Sequence, residues 1–171
     1  MNTQMYENPV TQDNLSLCKK YGYKIIEPAV GHLACGDSGK GKMAEPETIL
    51  KHIIFEIGQK KDLSGKKIVV TAGPTQEALD PVRFITNHSS GKMGYAIAER
   101  AANRGAQVVL VSGPTNLESP LFVKKIGVVS AKEMFEAVKS EYESADIVIK
   151  AAAVADYRPK NLSSEKIKKF D

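Results

Sequence analysis

Long apolar runs are missing from this 171-residue chain: no stretch approaches the about 20 residues a membrane helix needs, and no charged-then-apolar leader opens it. Neither a membrane span nor a signal peptide is therefore expected. Cysteine is scarce. Cys18 and Cys35 stand far apart, with no CxxC pair and no His at ligand spacing, so neither a zinc site nor a disulfide framework is indicated. A reducing, cytoplasmic setting follows as the expectation. Aromatic residues make up only 6% and do not interleave the lysines, which argues against a nucleic-acid partner. No charge sign dominates either. The net charge of +4 is mild, and lysines cluster at 60/61, 66/67 and in the terminal KIKK, a balance that suits an anionic small molecule at least as well as nucleic acid.

What is present is a 42% apolar, 26% charged composition, enough for one domain or one and a half. Residues 7–21 predict a helix opened by Pro9 and closed at Gly22, followed by a short strand in YKIIEP. After a glycine-rich loop, EPETILKHIIFEIGQK places Ile49, Ile53, Ile54 and Ile57 on one helical face. This segment, residues 1–60, has too few elements to close a sheet core and resembles the tail end of a domain. Residues 61–66, polar and containing Gly65, predict a linker.

From residue 67 the rhythm changes. Strand KIVVTAG, helix GYAIAERAANRG, strand AQVVLVSGP, strand-like FVKKIGVV, helix AKEMFEAVKSEYES and strand ADIVIKAAAVA follow one another. Strands rich in β-branched residues, without polar alternation and alternating with helices, predict a parallel sheet covered on both faces. The fold class is α/β, a Rossmann-like doubly wound sheet. Its ligand belongs at the carboxyl ends of the strands, between GPTQEALDPVRFITNHSSGKMG and AAAVADYRP.

Several motifs carry chemistry, each beside a plainer alternative. GDSGKGKM, residues 36–43, has phosphate-loop spacing, but Met43 replaces the magnesium-binding hydroxyl and no strand runs into it. A flexible glycine loop presenting Cys35 and Asp37, or an ordinary surface loop, remains. Cys35 is then either inert packing or a proton donor in a mobile loop; Cys18, on a helix face, is expected in packing. Gly73 ends the first strand in GPT, without a GxGxxG fingerprint. At the next helix entrance, Ser89, Ser90, Gly91 and Lys92 offer a cap, free N–H groups and a cation, more than capping alone requires, so a phosphate or carboxylate site is expected there. Arg83 and Asn87 would orient an acidic group or an acyl oxygen, or else form a surface turn. Ala151, Ala152 and Ala153 are small enough to let a ring or sugar lie against the backbone, and Asp156 would accept from hydroxyls or hold Mg²⁺. The KIKK run is either solvated or a basic arm over a triphosphate.

Taken together, MNTQMYENP, LACGDSGKGKMAEP, GPTQEALDPVRFITNHSSGKMG, AAAVADYRP and EKIKK resemble, in order and over essentially the whole chain, the bacterial bifunctional phosphopantothenoylcysteine decarboxylase and phosphopantothenate-cysteine ligase family of coenzyme A synthesis. The departures are Tyr6 where Trp is common and Lys42 where Arg is common. The resemblance implies an FMN-dependent decarboxylase half, in which Cys35 donates the proton and Asn2 binds the substrate carboxylate. It implies a ligase half that joins 4'-phosphopantothenate to cysteine with CTP and Mg²⁺ through an acyl-cytidylate. There Lys166 stabilises the leaving pyrophosphate, Arg83 and Asn87 orient the acyl group, and Ala151, Ala152, Ala153 and Asp156 border the nucleotide. The metal ligands are not assigned, and a homo-oligomer is implied for the full-length enzyme. The flavin-binding half is expected to precede Met1, and further nucleotide contacts to follow Asp171. Activity of this chain alone is therefore in question. The alternative expectation is a non-catalytic module that binds nucleotide or donates its clamp to a partner's site in an oligomer.

Overall fold

A computed structural model describes residues 1–168, which fall into two compact units, Met1–Ile57 and a second that begins at Gly58. Lys169 of the KIKK run, and the chain end at Asp171, lie outside the described residues.

In the first unit the helix expected over 7–21 is two helices, α1 (Thr3–Glu7) and α2 (Pro9–Lys20). Proline disfavours helical backbone in the residue before it, and Asn8 is extended, with ψ 131°. Its side chain accepts from the Val10 N–H at 3.0 Å, so the break is also a cap. The helix closes at Gly22 as expected, where the Gly22 and Tyr23 amides reach back to the Lys19 and Cys18 carbonyls. Cys18 is half-buried rather than enclosed, since α2 has no fully buried residue.

The strand expected in YKIIEP does not form, because residues 23–28 have no partner to pair with; pairing begins one residue later. Strand β1 (Ala29–His32) forms an antiparallel hairpin with β2 (Ser38–Lys42), in the register Val30 to Lys40 and His32 to Ser38. The segment expected as a flexible glycine loop is thus ordered by cross-strand hydrogen bonds. Its tip is tied by the Leu33 N–H to the Asp37 carbonyl at 2.8 Å and the Gly36 N–H to the Leu33 carbonyl at 2.9 Å. A phosphate loop is excluded, because residues 36–42 turn into a strand rather than open a helix. Helix α3 (Pro46–Ile57) carries the expected isoleucine face, with Ile49 half-buried and Ile53, Ile54 and Ile57 exposed.

The second unit is built on β3 (Lys67–Ala72), β6 (Gln107–Ser112), β7 (Val123–Gly127) and β8 (Ile147–Lys150). All pair in parallel, in the spatial order β7-β6-β3-β8. Alternate β3 residues serve opposite faces. Ile68, Val70 and Ala72 meet Tyr95, Ala98 and Ala102 of α4 (Lys92–Asn103), while Val69 joins Val109, Val111 and Met134 of α5 (Ala131–Tyr142). Each fully buried Val or Leu here contributes about 1.5–3 kcal/mol over an exposed one. Ser130 caps helix α5 by accepting from the Glu133 N–H, while the Glu133 carboxylate accepts from the Val129 N–H just before the cap.

Residues 61–66, expected as a linker, form a turn fastened to the end of α4. The Leu63 N–H donates to the Arg104 carbonyl at 3.0 Å, and the Arg104 guanidinium grips Asp62 at 2.8 and 2.6 Å. The long loop between β3 and α4 holds a small antiparallel hairpin, β4 (Gln76–Ala78) with β5 (Phe84–Thr86), which the sequence pattern did not announce.

The sheet starts at its centre with β3, grows outward through β6 and β7, and returns to the other side of β3 with β8. This reversal sets the carboxyl ends of β3 and β8 side by side, the position at which doubly wound sheets take ligands.

Candidate functional site

The edge beyond β3 and β8 is built by two backbones that continue to hold each other past the sheet. The Ala151 N–H donates to the Thr71 carbonyl, the Ala153 N–H to the Gly73 carbonyl at 2.9 Å, and the Thr75 N–H to the Ala153 carbonyl at 3.2 Å. Two buried hydroxyls lock this edge: Thr71 Oγ1 accepts from the Ala152 N–H, and Thr75 Oγ1 from the Ala155 N–H at 2.9 Å. Sequence reasoning passed over both threonines, although TAGPT ends the first strand with them. Gly73, Ala151, Ala152 and Ala153 are therefore neighbours, with the alanine side chains partly exposed.

Asn87 bridges the same edge, donating from Nδ2 to the Val154 carbonyl at 3.0 Å and, more distantly, toward the Ala153 carbonyl at 3.4 Å. The Thr86 hydroxyl donates to the Thr75 carbonyl at 2.7 Å. Beyond Asn87 the chain reaches α4. The expected serine cap is not made: Gly91 is the cap, at φ 75°, with no side-chain hydrogen bond, and Ser90 Oγ lies 3.5 Å from the Lys92 N–H. Glycine is required here, since a side chain on Gly91 would meet Gly73 Cα at 3.2 Å and Thr115 Cγ2 at 2.9 Å. The first turn of α4 thus begins beside Gly73 with the long Ser90–Lys92 contact as the side-chain bond at its N–H groups among the described residues, and Ser90 and Lys92 are exposed beside it, with Ser89 half-buried. Asp156 is exposed just past the alanines. Among the described residues, no three His, Cys, Asp or Glu side chains converge as a metal cluster.

Arg83 is committed within the protein. Its guanidinium forks onto Asp80 at 2.9 and 2.5 Å and donates to the Ile167 carbonyl at 2.7 Å. Asp80, which sequence reasoning did not single out, is buried and also accepts from the Val82, Arg83 and Ile167 N–H groups. The Arg83 guanidinium holds the Asp80 carboxyl well below the usual carboxylate range, against the opposing effect of burial and with help from those three N–H groups. The signal for such a residue was the Asp-Pro pair at 80–81, a turn-starting dipeptide. Lys166 is exposed, one residue before this attachment.

The first unit carries a separate pocket of about 430 Å³ bordered by Asn2, Met5, His32, Cys35 and Lys42. The structure thus brings Cys35 and Asn2, 33 positions apart in the sequence, to one cavity. Cys35 is exposed at the hairpin tip, its Sγ 3.6 Å from Asp37 Oδ2. Asn2 caps α1, its Oδ1 accepting from the Met5 N–H at 2.8 Å, which leaves donors rather than acceptors for a ligand. Tyr6, which stands where the family resemblance leads one to expect Trp, is buried and donates to Glu27; Lys40 of β2 and Lys19 of α2 pair with the same carboxylate. The Tyr6 hydroxyl first, then Lys40, hold the Glu27 carboxyl down at about 2. Among the described residues, no helix is long and apolar enough to cross a membrane.

Residues 63–171 match the family model of the DNA/pantothenate metabolism flavoprotein C-terminal domain, and residues 1–58 match that of the flavoproteins. The chain is 54% identical, over 99% of its length, to the coenzyme A biosynthesis bifunctional protein CoaBC of Vibrio parahaemolyticus, of which it covers 42%. To the Bacillus subtilis protein of the same name it is 51% identical over its whole length, covering 43% of that relative. The chain therefore spans about two fifths of the curated relatives it matches. A crystal structure of the C-terminal domain of a CoaBC protein superposes with a TM-score of 0.57 at 58% identity, over 62% of this chain and 56% of that one. On these grounds the chain belongs to the DNA/pantothenate metabolism flavoprotein family, as a Rossmann-like C-terminal domain preceded by a flavoprotein segment.

Proposed function

We propose that this chain serves coenzyme A synthesis as a cytoplasmic protein. Its second unit would activate the carboxylate of 4'-phosphopantothenate with CTP and join it to cysteine. In the first step a carboxylate oxygen attacks the α-phosphorus of CTP and pyrophosphate leaves. In the second the cysteine amine attacks the acyl carbon and CMP leaves. The observation that carries this reading is the edge between Gly73 and Ala153, where Asn87 bridges two loops beside the start of α4, whose cap residue Gly91 offers no side chain to its N–H groups. Free N–H groups at a helix start favour an anion, and the small alanines leave room for a flat ring against the backbone. Lys166 would neutralise charge developing on the departing pyrophosphate. Asn87 would orient the acyl group. Asp156 is a single exposed carboxylate, which suits a Mg²⁺ that takes its other ligands from the triphosphate and water.

The first unit would act in decarboxylation of the ligation product, 4'-phosphopantothenoylcysteine, with the clamp thiol of Cys35 giving up a proton and the Asn2 amide holding the carboxylate. FMN, when bound, supplies the oxidation of the cysteinyl thiol; the clamp residues position and protonate. A clamp that completes a partner's site in a homo-oligomer is the second reading, favoured by the exposed position of Cys35 at a hairpin tip. Adding a separately expressed flavin domain and measuring decarboxylation that depends on Cys35 tests it.

For the ligase reading the test is calorimetric titration of the folded chain with Mg²⁺ and CTP, beside ATP and a Lys166→Ala control. Saturable CTP binding that the substitution weakens is the expected result; a folded chain that binds no nucleotide overturns the reading.

A further inference from the structure

The two oxygens of the Asp80 carboxylate divide their work. Oδ1 accepts from the Val82 and Arg83 N–H groups, both at 2.8 Å, and these bonds alone would shape the turn between β4 and β5. A neutral Asn or Ser supplies such bonds elsewhere. Oδ2 does something the turn does not need: it accepts the Arg83 fork and, at 3.1 Å, the N–H of Ile167, 87 positions later. Arg83 then reaches past Asp80 to the Ile167 carbonyl. Both backbone groups of one residue in an otherwise irregular arm are thereby held by one ion pair, whose carboxylate is fully enclosed. The arm is also tied to this turn by the Ser163 N–H, which donates to the Leu79 carbonyl at 3.2 Å. Burying a carboxylate is costly unless it is paired and hydrogen-bonded, so a charge kept at this position calls for a role beyond the turn.

We propose that Asp80 and Arg83 form a latch that fixes the arm carrying Lys166, and that Arg83 is a positioning residue acting through Ile167 rather than a group that touches substrate. The functional half of this inference rests on the nucleotide reading of Lys166. Lys166 immediately precedes Ile167, so holding both backbone groups of Ile167 limits the sweep of the lysine. A long flexible cation otherwise loses rotamer and backbone freedom each time it meets a triphosphate.

Hydrogen exchange on the ligand-free chain tests the latch independently of any nucleotide. In the wild-type protein the Ile167 amide, bonded to Asp80 Oδ2, should be protected. Arg83→Gln, at a half-exposed side chain, should speed its exchange by about tenfold while the amides of β3 and β6 keep their protection. Asp80→Asn, which retains an oxygen for the turn, should do the same where Asp80→Ala fails to fold. Exchange at Ile167 that is unchanged in Arg83→Gln overturns the latch.

The second measurement is Mg²⁺-CTP affinity in Arg83→Gln, Lys166→Ala and the double variant. If Arg83 works through the arm, each single change weakens binding by about tenfold and the double change adds little more. Additive losses overturn the positioning role and make Arg83 a direct ligand. A wild-type chain that binds no CTP, with Ile167 exchange still accelerated in the variant, leaves the latch standing and removes the nucleotide reading instead.

Discussion

The side-chain amide of Asn87 lies 3.0 Å from the Val154 carbonyl and donates to it, adding a side-chain tie beyond Thr75 between the loop before α4 and the loop after β8. Asn87→Asp keeps the size and replaces the donor with a carboxylate that faces two carbonyl oxygens. Two acceptors repel, and the loops should part at this point while the sheet stays intact. The expected outcome is loss of CTP- and 4'-phosphopantothenate-dependent pyrophosphate release by about 100-fold, the scale of one misplaced orienting group. Circular dichroism and the unfolding midpoint should change little, because Asn87 is exposed.

Gly94 sets how closely α4 approaches β3. A side chain there would meet Ala72 Cβ at 2.5 Å and the Thr71 carbonyl at 2.9 Å. Gly94→Ala should therefore lift the first turn of α4 from the sheet and destabilise the second unit by about 1–3 kcal/mol, as overpacking does. Urea unfolding measures this. A neutral result would mean the helix can slide without strain.

Much of the second unit was legible because its strands are continuous β-branched runs and its helices have a clear apolar period. KIVVTA and QVVLVS could be placed only as buried parallel strands, and α4 and α5 only as their covering helices. The β4-β5 hairpin was not legible, since three-residue strands around an Asp-Pro turn leave no periodicity to count. Nor was the β1-β2 hairpin. SGKGK alternates nothing apolar, and glycines that mark a mobile loop by composition here pair across a strand. YKIIEP has the composition of a strand but lacks a partner, and pairing is settled by tertiary context rather than propensity.

The site was legible where it depends on residue type and opaque where it depends on a partner. Asn87, Gly73 and Ala153 do meet, as facing loops at a topological switch should. Arg83 looked like a fork waiting for a ligand's acidic group. Its acid is Asp80, three residues away, and no spacing rule distinguishes an internal carboxylate from an external one.

Glu27 gives the first unit an acid-sensitive joint. Its carboxyl, normally near 4.5, is held at about 2 in the folded chain, first by the Tyr6 hydroxyl and then by Lys40. A carboxylate with a depressed folded value stabilises fully above its unfolded value and loses that contribution as pH falls through the folded one. The window is therefore about pH 4.5 down to 2. With the carboxylate half-exposed to solvent, the contribution is about 1 kcal/mol or less. Tyr6→Phe removes the largest cause and should raise the Glu27 value toward 4.5, as read by NMR titration of its carboxyl carbon. Glu27→Gln should flatten the acid limb of stability across the same window. An unchanged titration in Tyr6→Phe would assign the effect to the lysines.

Ala153 separates fold from binding at the nucleotide edge. Its N–H donates to the Gly73 carbonyl and its carbonyl accepts from the Thr75 N–H, so the backbone is fixed whatever the side chain. The side chain itself is partly exposed, and a β-branched residue suits an extended, paired backbone. Ala153→Val should thus leave stability within about 0.5 kcal/mol of wild type. If a cytosine or ribose ring lies against this edge, the two added methyl groups occupy its place, and CTP affinity should fall by about tenfold or more, since shape complementarity rather than charge is lost. Calorimetry on the two proteins, with thermal unfolding alongside, distinguishes the outcomes. Weaker binding at unchanged stability puts the ring on the alanines, whereas equal binding means the nucleotide is held by its phosphates alone, at the start of α4 and under Lys166.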